Sequence, residues 1–281
     1  MNRIRRVLMV AAATLLFTSA SAESDVEKKT LTFGVVPQQS AGKLARNWGP
    51  ILKYIEAQTG VSMRFATAPS IPEFERRMAL GEYDISYMNP YHYTVFHEAP
   101  GYEAFAKAKG KLIKGIVVVH KDSDISDLQE LDGSTMAFPA PAAFAASVLP
   151  RAHLATQGIE VQPKYVSSHD SVYISVARGL YPAGGGIVRT LNSIEQPIRD
   201  QLRILWTTNP FTSHALAAHP RVPAETVALI QSAMVGMEHN EEGKKLLKAL
   251  SWKGVEKAQN SRWDDVRELG LDLLDMLING T

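Results

Sequence analysis

The feature that most constrains this chain is an alternation of β-rich runs and helix-periodic segments that runs once and then restarts. Leu31 to Val36 reads as a strand closed by Pro37, and Ala41 to Thr59 places Leu44, Trp48, Ile51, Leu52 and Ile55 at helical spacing before Gly60. Met63 to Ala68 is a second strand. Ser70-Ile71-Pro72-Glu73 joins a capping box to an early proline, which predicts a helix to about Leu80 that Gly81 stops. Ile85 to Met88 is a third strand, and Asn89-Pro90 turns the chain into another helix. Strand–helix–strand–helix–strand is the pattern of a parallel, doubly wound sheet whose ligands lie beyond the carboxyl ends of the strands.

The pattern resumes with Ile113 to His120, a buried-type strand followed by the polar Lys121-Asp122-Ser123-Asp124. A second unit follows: strand Thr135 to Phe138, helix Ala142 to Gln157, strand Gln162 to Val166, helix His169 to Arg178, strand Ala183 to Ile187. Arg203 to Thr207 and Ala215 to Ala218 read as strands returning to the first unit, and the rest as helices over Ala224–Met237, Glu241–Leu250 and Trp263–Ile278. The expectation is an α/β chain of two lobes around a cleft, each a doubly wound sheet flanked by helices. Residues 23–117 plus 213–281 form one lobe and 118–212 the other.

The first 22 residues read as an export signal rather than as part of the fold. Arg3, Arg5 and Arg6 precede an apolar run from Val7 to Phe17, and Ala20-Ser21-Ala22 supplies small residues for cleavage before Glu23. The alternative, a membrane anchor, asks for roughly twenty apolar residues, which this run does not reach. Cleavage leaves 259 residues with 27 basic and 29 acidic groups, a charge of −2. A field of that sign does not draw anions in, so any anion site is made locally. Nor does it suit a nucleic-acid partner. Cysteine is absent, which excludes disulfides, thiolate metal sites, a cysteine nucleophile and a lipidated cysteine. A periplasmic monomer is expected.

Residues after the strands line such a cleft. They are Pro37-Gln38-Gln39-Ser40, Tyr87-Met88-Asn89-Pro90-Tyr91-His92-Tyr93, Pro139-Ala140-Pro141-Ala142-Ala143-Phe144 and Ser167-Ser168-His169-Asp170-Ser171, with Gly184-Gly185-Gly186 preceding Arg189-Thr190. Neutral donors, aromatics, one histidine and one arginine suit a small oxyanion or polar solute better than a reaction. The candidate ligand-binding residues are Gln38, Gln39, Tyr87, Asn89, Tyr91, Tyr93, Ala142, Ala143, Phe144, Ser168, His169, Asp170 and Arg189. Blander readings stand beside these: Ser168 as an N-cap, Arg189 paired with a surface acid, the tyrosines as core. The glycines fit no nucleotide motif but allow close backbone approach to a ligand or a hinge. Trp252, Trp263 and the C-terminal leucines read as packing. No catalytic motif occurs, and His92 and His97 share no helix face that would hold a metal. No enzyme activity, cofactor or metal is expected.

In Phe33-Gly34-Val35-Val36-Pro37, Trp48-Gly49-Pro50-Ile51, Gly81-Glu82-Tyr83-Asp84-Ile85, Asn89-Pro90-Tyr91-His92-Tyr93, Asp132-Gly133, Ser168-His169-Asp170-Ser171-Val172 and Ala217-Ala218-His219-Pro220, the chain resembles the PhnD-like phosphate/phosphite/phosphonate-binding periplasmic proteins of ABC importers. The resemblance covers most of the chain after the leader. It implies a type II periplasmic-binding-protein fold closing over its ligand, with His169 and the helix start after Phe138 contacting the oxyanion. It also implies an ABC permease as partner. Members of that family usually carry a Ser/Thr-rich turn at that helix start; here the matching stretch is Ala142-Ala143-Phe144-Ala145-Ala146. About three hydrogen bonds to a charged group, each worth ~1.5–3 kcal/mol, are thereby absent. The departure points to a less charged ligand or to a different oxyanion held by Arg189 and His169. An alternative function is a periplasmic sensor presenting a solute to a membrane histidine kinase, since some such relatives also carry a Gly-rich segment ending in Arg-Thr. An enzyme acting on a small phosphorylated or heterocyclic substrate is a third reading, without a visible nucleophile–base pair.

Overall fold

The computed structural model describes residues 30–274. The expected export signal and cleavage point lie outside the described residues. Strand β1 (Leu31–Val35), helix α1 (Ala41–Thr59), β2 (Met63–Ala66), α2 (Ile71–Ala79), β3 (Ile85–Met88) and α3 (Pro90–Glu98) follow the expected alternation. Their ends obey local chemistry. Gly60 closes α1 in the left-handed conformation at φ 69°, which a residue without Cβ adopts at no cost. The Ser70 hydroxyl accepts from the Glu73 amide at 3.3 Å, and the Asn89 side chain accepts from the His92 amide at 2.7 Å.

Strands β4 (Glu103–Ala108), β12 (Ala215–Ala218) and β13 (Val255–Lys257) complete the first sheet in the order β13-β4-β12-β3-β1-β2. The first three strands are parallel, whereas β12 is antiparallel to both β3 and β4. The second sheet, in the order β10-β6-β9-β7-β8, comprises β6 (Gly115–His120), β7 (Thr135–Phe138), β8 (Gln162–Tyr165), β9 (Ala183–Ile187) and β10 (Leu202–Thr207). Helices α4 (Leu149–Thr156), α5 (His169–Ala177), α6 (Val188–Ser193) and α7 (Gln196–Arg199) belong to it. The chain then returns to pack α8 (Ala224–Gly236), α9 (Glu241–Ala249) and α10 (Asp264–Arg267) beside the first sheet.

Both passages between the sheets run together. Between them β5 (Leu112–Ile113) pairs antiparallel with β11 (Phe211–Thr212), and Gly115 and Thr208 exchange hydrogen bonds just beyond. The ribbon explains two corrections to the sequence reading. The expected strand Ile113 to His120 breaks at Lys114, where the backbone leaves one pairing partner for another. The strand expected to return at Arg203 instead stays in the second sheet as β10, antiparallel to β6. Strands β4 and β13 were not foreseen: the alanine-rich Glu103–Ala108 lacks the β-branched signature, and β13 is short. The helix expected over Ala142–Gln157 opens instead with a π-turn, Phe144–Val148, before α4. The helix expected over Trp263–Ile278 ends at Arg267 within the described part, and its last residues lie outside it.

The glycines of β9 serve packing. A Cβ on Gly185 would meet the Ala146 carbonyl oxygen at 1.9 Å, and one on Gly186 would meet the Tyr173 hydroxyl at 2.2 Å. The bare strand lets the π-turn lie on one face of the sheet and α5 on the other. Gly185→Ala is therefore expected to destabilise the protein by at least about 1–3 kcal/mol through overpacking, measured as a lowered denaturant midpoint at unchanged slope.

Candidate ligand site between the sheets

The seam between the two sheets is closed by polar contacts from residues that leave strand ends. Gln38, just after β1, takes part in three of them. Its carbonyl accepts from the His169 amide at 3.3 Å, its side-chain nitrogen donates to His214 Nε2 at 2.9 Å, and its side-chain oxygen accepts from Arg189. With the amide oxygen engaged by a guanidinium, the amide nitrogen faces the imidazole, so His214 Nε2 is the bare acceptor and Nδ1 carries the proton. Gln39 donates to the Ser193 hydroxyl at 2.6 Å, and Lys43 bonds the Ser193 carbonyl. The Tyr87 ring stacks on His214 at 4.9 Å between centroids. His169 Nδ1 lies 3.1 Å from the Thr190 hydroxyl, which also meets the Tyr173 hydroxyl at 2.8 Å.

Burial without a carboxylate partner decides the charge of these imidazoles. Desolvation first, and the neighbouring Arg189 second, push His169 down to about 3 and hold His214 well below its ordinary value. Both are neutral at physiological pH and serve as uncharged donors and acceptors, so the seam's positive charge is carried by Arg189 and by Lys43 on the Ser193 carbonyl. Asp170 is half-buried with one carboxylate oxygen lacking a partner, and burial raises its carboxyl pKa against the opposing pull of Lys43 and the Ser40 amide.

Two spaces, one bordered by His169 and one by Arg189, differ in kind. One, bounded by Gln38, Asn89, Ala143, Phe144, Ala145, Ala146 and His169, is about 10 Å³. It holds no more than a single water. The other is a cavity of about 340 Å³ between the ends of the two sheets and the β5–β11 ribbon. Tyr87, Ser213, His214 and Trp252 line it from the first sheet, Lys111, Leu112 and Lys114 from the ribbon, and Val188, Arg189 and Asn192 from the second sheet.

The expected site residues divide accordingly. Gln38, Tyr87, Asn89, Ala143, Phe144, His169 and Arg189 border one or both spaces, with Gln39 bonded across the seam and Ala142 buried behind it, accepting from Asn89 at 3.3 Å. Ser168 caps α5, its hydroxyl accepting from the Ser171 amide at 3.0 Å. Tyr91 and Tyr93 lie elsewhere, which corrects the expected tyrosine wall. The Tyr91 hydroxyl accepts from the Leu274 amide at 3.0 Å, and Tyr93 donates to Asn260 at 3.1 Å while packing on Trp263. Helix α3 is buried from Pro90 to Phe96 and carries both into the core. Ser213, His214, Lys111 and Trp252 were missed. The first two precede β12, whose reversed direction brings its beginning, not its end, to the cleft. Trp252, expected to serve packing, packs on Trp48 and also lines the cavity.

The low His169 pKa has a signed consequence. Below about pH 6.5 the unfolded chain takes up a proton that the folded chain refuses until about pH 3. Stability from this group is present above pH 6.5 and lost as pH falls toward 3. Thermal denaturation across that range is expected to show a falling midpoint, and His169→Gln to flatten the fall by up to about 1.4 kcal/mol per pH unit.

Comparison with known proteins agrees with this architecture. A family model described as the periplasmic substrate-binding protein of phosphonate ABC transporters matches residues 33–263. The phosphate-import protein PhnD of Mycolicibacterium smegmatis is 21% identical over 262 residues, covering 79% of this chain and 78% of that one. Among solved structures, a binding protein of an ABC phosphonate transporter from Pseudomonas aeruginosa superposes with a TM-score of 0.80 at 19% identity, covering 89% and 88% of the two chains. PhnD1 from Prochlorococcus marinus, in complex with methylphosphonate, superposes with a TM-score of 0.78 at 18% identity, covering 86% of this chain and 97% of that one. With two such sheets, two crossing passages and a polar seam between them, the chain belongs to the family of periplasmic phosphonate-binding proteins of ABC transporters.

Proposed function

We propose that this protein captures a small oxyanion of the phosphate, phosphite or phosphonate type in the periplasm and hands it to an ABC permease. The observation that carries the reading is Arg189, a cation at the seam with no carboxylate partner among the described residues, set beside two imidazoles kept neutral by burial. Neutral donors and one guanidinium accept an anion without a competing internal counter-ion. The family and the relatives described as binding proteins of ABC transporters support import over the sensor reading.

In this reading the lobes are residues 23–117 plus 213–281 and residues 118–212, and the paired β5–β11 ribbon is the hinge about which they close. Capture is a binding event without chemistry: closure desolvates the anion and completes its hydrogen bonds, and opening releases it to the permease. Export with cleavage after Ala22 and a monomeric state belong to the same reading. No helix among the described residues is long and apolar enough to cross a membrane.

Calorimetry with phosphate, phosphite, methylphosphonate and aminoethylphosphonate tests it. At least one is expected to bind, and Arg189→Gln to weaken that binding roughly 10- to 100-fold, the loss of one charge-assisted hydrogen-bonded contact. No heat with any of the four, or an affinity indifferent to Arg189, overturns the reading. N-terminal sequencing of the periplasmic protein is expected to begin at Glu23.

A further inference from the structure

The space where the helix-start turn meets His169 is shut. Phe144 is buried and set edge-on against Phe211 at 5.5 Å, and the remaining gap of about 10 Å³ has no room for a tetrahedral anion. The turn has nowhere to retreat: the carbonyls of Ala145 and Ala146 sit where Cβ atoms on Gly115 and Gly185 would be, 1.9 Å away. A second gap of about 10 Å³, where Arg189 meets Gln39 and Trp48, is equally small, so an anion gripped by Arg189 occupies the cavity of about 340 Å³ that this residue also lines. Five heavy atoms displace roughly three waters, about 90 Å³, so a bare oxyanion fills only a fraction of it.

The lining says what fills the rest. Arg189, Lys111 and Lys114 face this space, no aspartate or glutamate lines it, and none of the three is in an ion pair among the described residues. The Ser213 hydroxyl at its wall is buried and has no hydrogen-bond partner. Burial and the nearby Arg189 also pull the Lys111 ammonium below its ordinary value, a strain that a bound dianion relieves. Beside the polar Asn192, His214 and Ser251, the wall carries an apolar and partly aromatic surface formed by Trp252, Tyr87 and Leu112. A planar group gains from contact with such a surface.

We infer that the ligand is larger than the simple anions: a dianionic PO₃ group held by Arg189, Lys111 and the Ser213 hydroxyl, bearing a planar apolar substituent that packs on Trp252. The inference rests on the oxyanion reading above and specifies its substrate class. The PO₃ group is common to both versions of this chemistry, which differ in whether carbon or an ester oxygen links phosphorus to the substituent.

Calorimetry on the full mature chain with phenylphosphonate, phenyl phosphate and methylphosphonate distinguishes the outcomes. One of the two phenyl compounds is expected to bind at least about tenfold tighter than methylphosphonate, and the tighter of the two identifies the linkage. Lys111→Gln is expected to weaken that binding about tenfold, and Lys111→Arg to restore most of it. Methylphosphonate binding as tightly as the phenyl compounds, or Lys111→Gln without effect on them, overturns this inference and leaves the oxyanion reading standing. If none of the three binds, nor phosphate, phosphite or aminoethylphosphonate, both fall.

Discussion

The strand β9 has no side chains along Gly184, Gly185 and Gly186, and the second sheet depends on that. Because nothing projects from its faces, the π-turn at Phe144–Val148 comes down to carbonyl contact on one side while Val172 and Tyr173 of α5 press on the other. The helix start that would offer hydroxyls to an anion is thereby wedged into the sheet with alanines and a phenylalanine. The open volume lies instead where Arg189 meets the ribbon, and β9 reaches it only through its last residue, Ile187.

Electrostatics reinforce the same division. Residues 23–281 are slightly acidic overall, so their field gives anions no long-range encouragement. What attracts them is local: a guanidinium bonded only to the Gln38 amide oxygen, and two ribbon lysines free of carboxylates among the described residues. Lysines and arginines elsewhere are often neutralised, as Arg221 is by the buried Asp84 at 2.6 Å and the Glu73 carboxylate is by Arg76 and Arg77. The two imidazoles at the seam lose their charge to burial, so the positive potential concentrates at Arg189 and the ribbon instead of spreading through the interior.

Legibility in the sequence followed the geometry of strand ends. Parallel strands present their carboxyl ends to the cleft, and reading the residues after β1, β3, β7 and β9 found Gln38, Tyr87, Asn89, Phe144 and Arg189. The same rule hid Ser213 and His214, which precede an antiparallel strand, and Lys111, which lies on a ribbon too short to recognise. It also over-reached. Tyr91 and Tyr93 follow a cleft-facing strand in sequence, but Asn89 caps a helix immediately, and the first turn of that helix, buried from Pro90 to Phe96, carries them into the core.

Hydrophobic periodicity, caps and breakers by themselves determined that the chain alternates strands and helices twice, where most of those elements begin and end, and that a polar seam lies at their junction. These are local properties, set by side-chain spacing and backbone preference within a few residues. Whether the strand Leu202–Thr207 joins the first sheet or the second, which face the glycines serve, and on which side of Arg189 the open volume lies were decided only in three dimensions. Each depends on how distant segments compete for one sheet edge or one interior space, and no window of neighbouring residues records that competition.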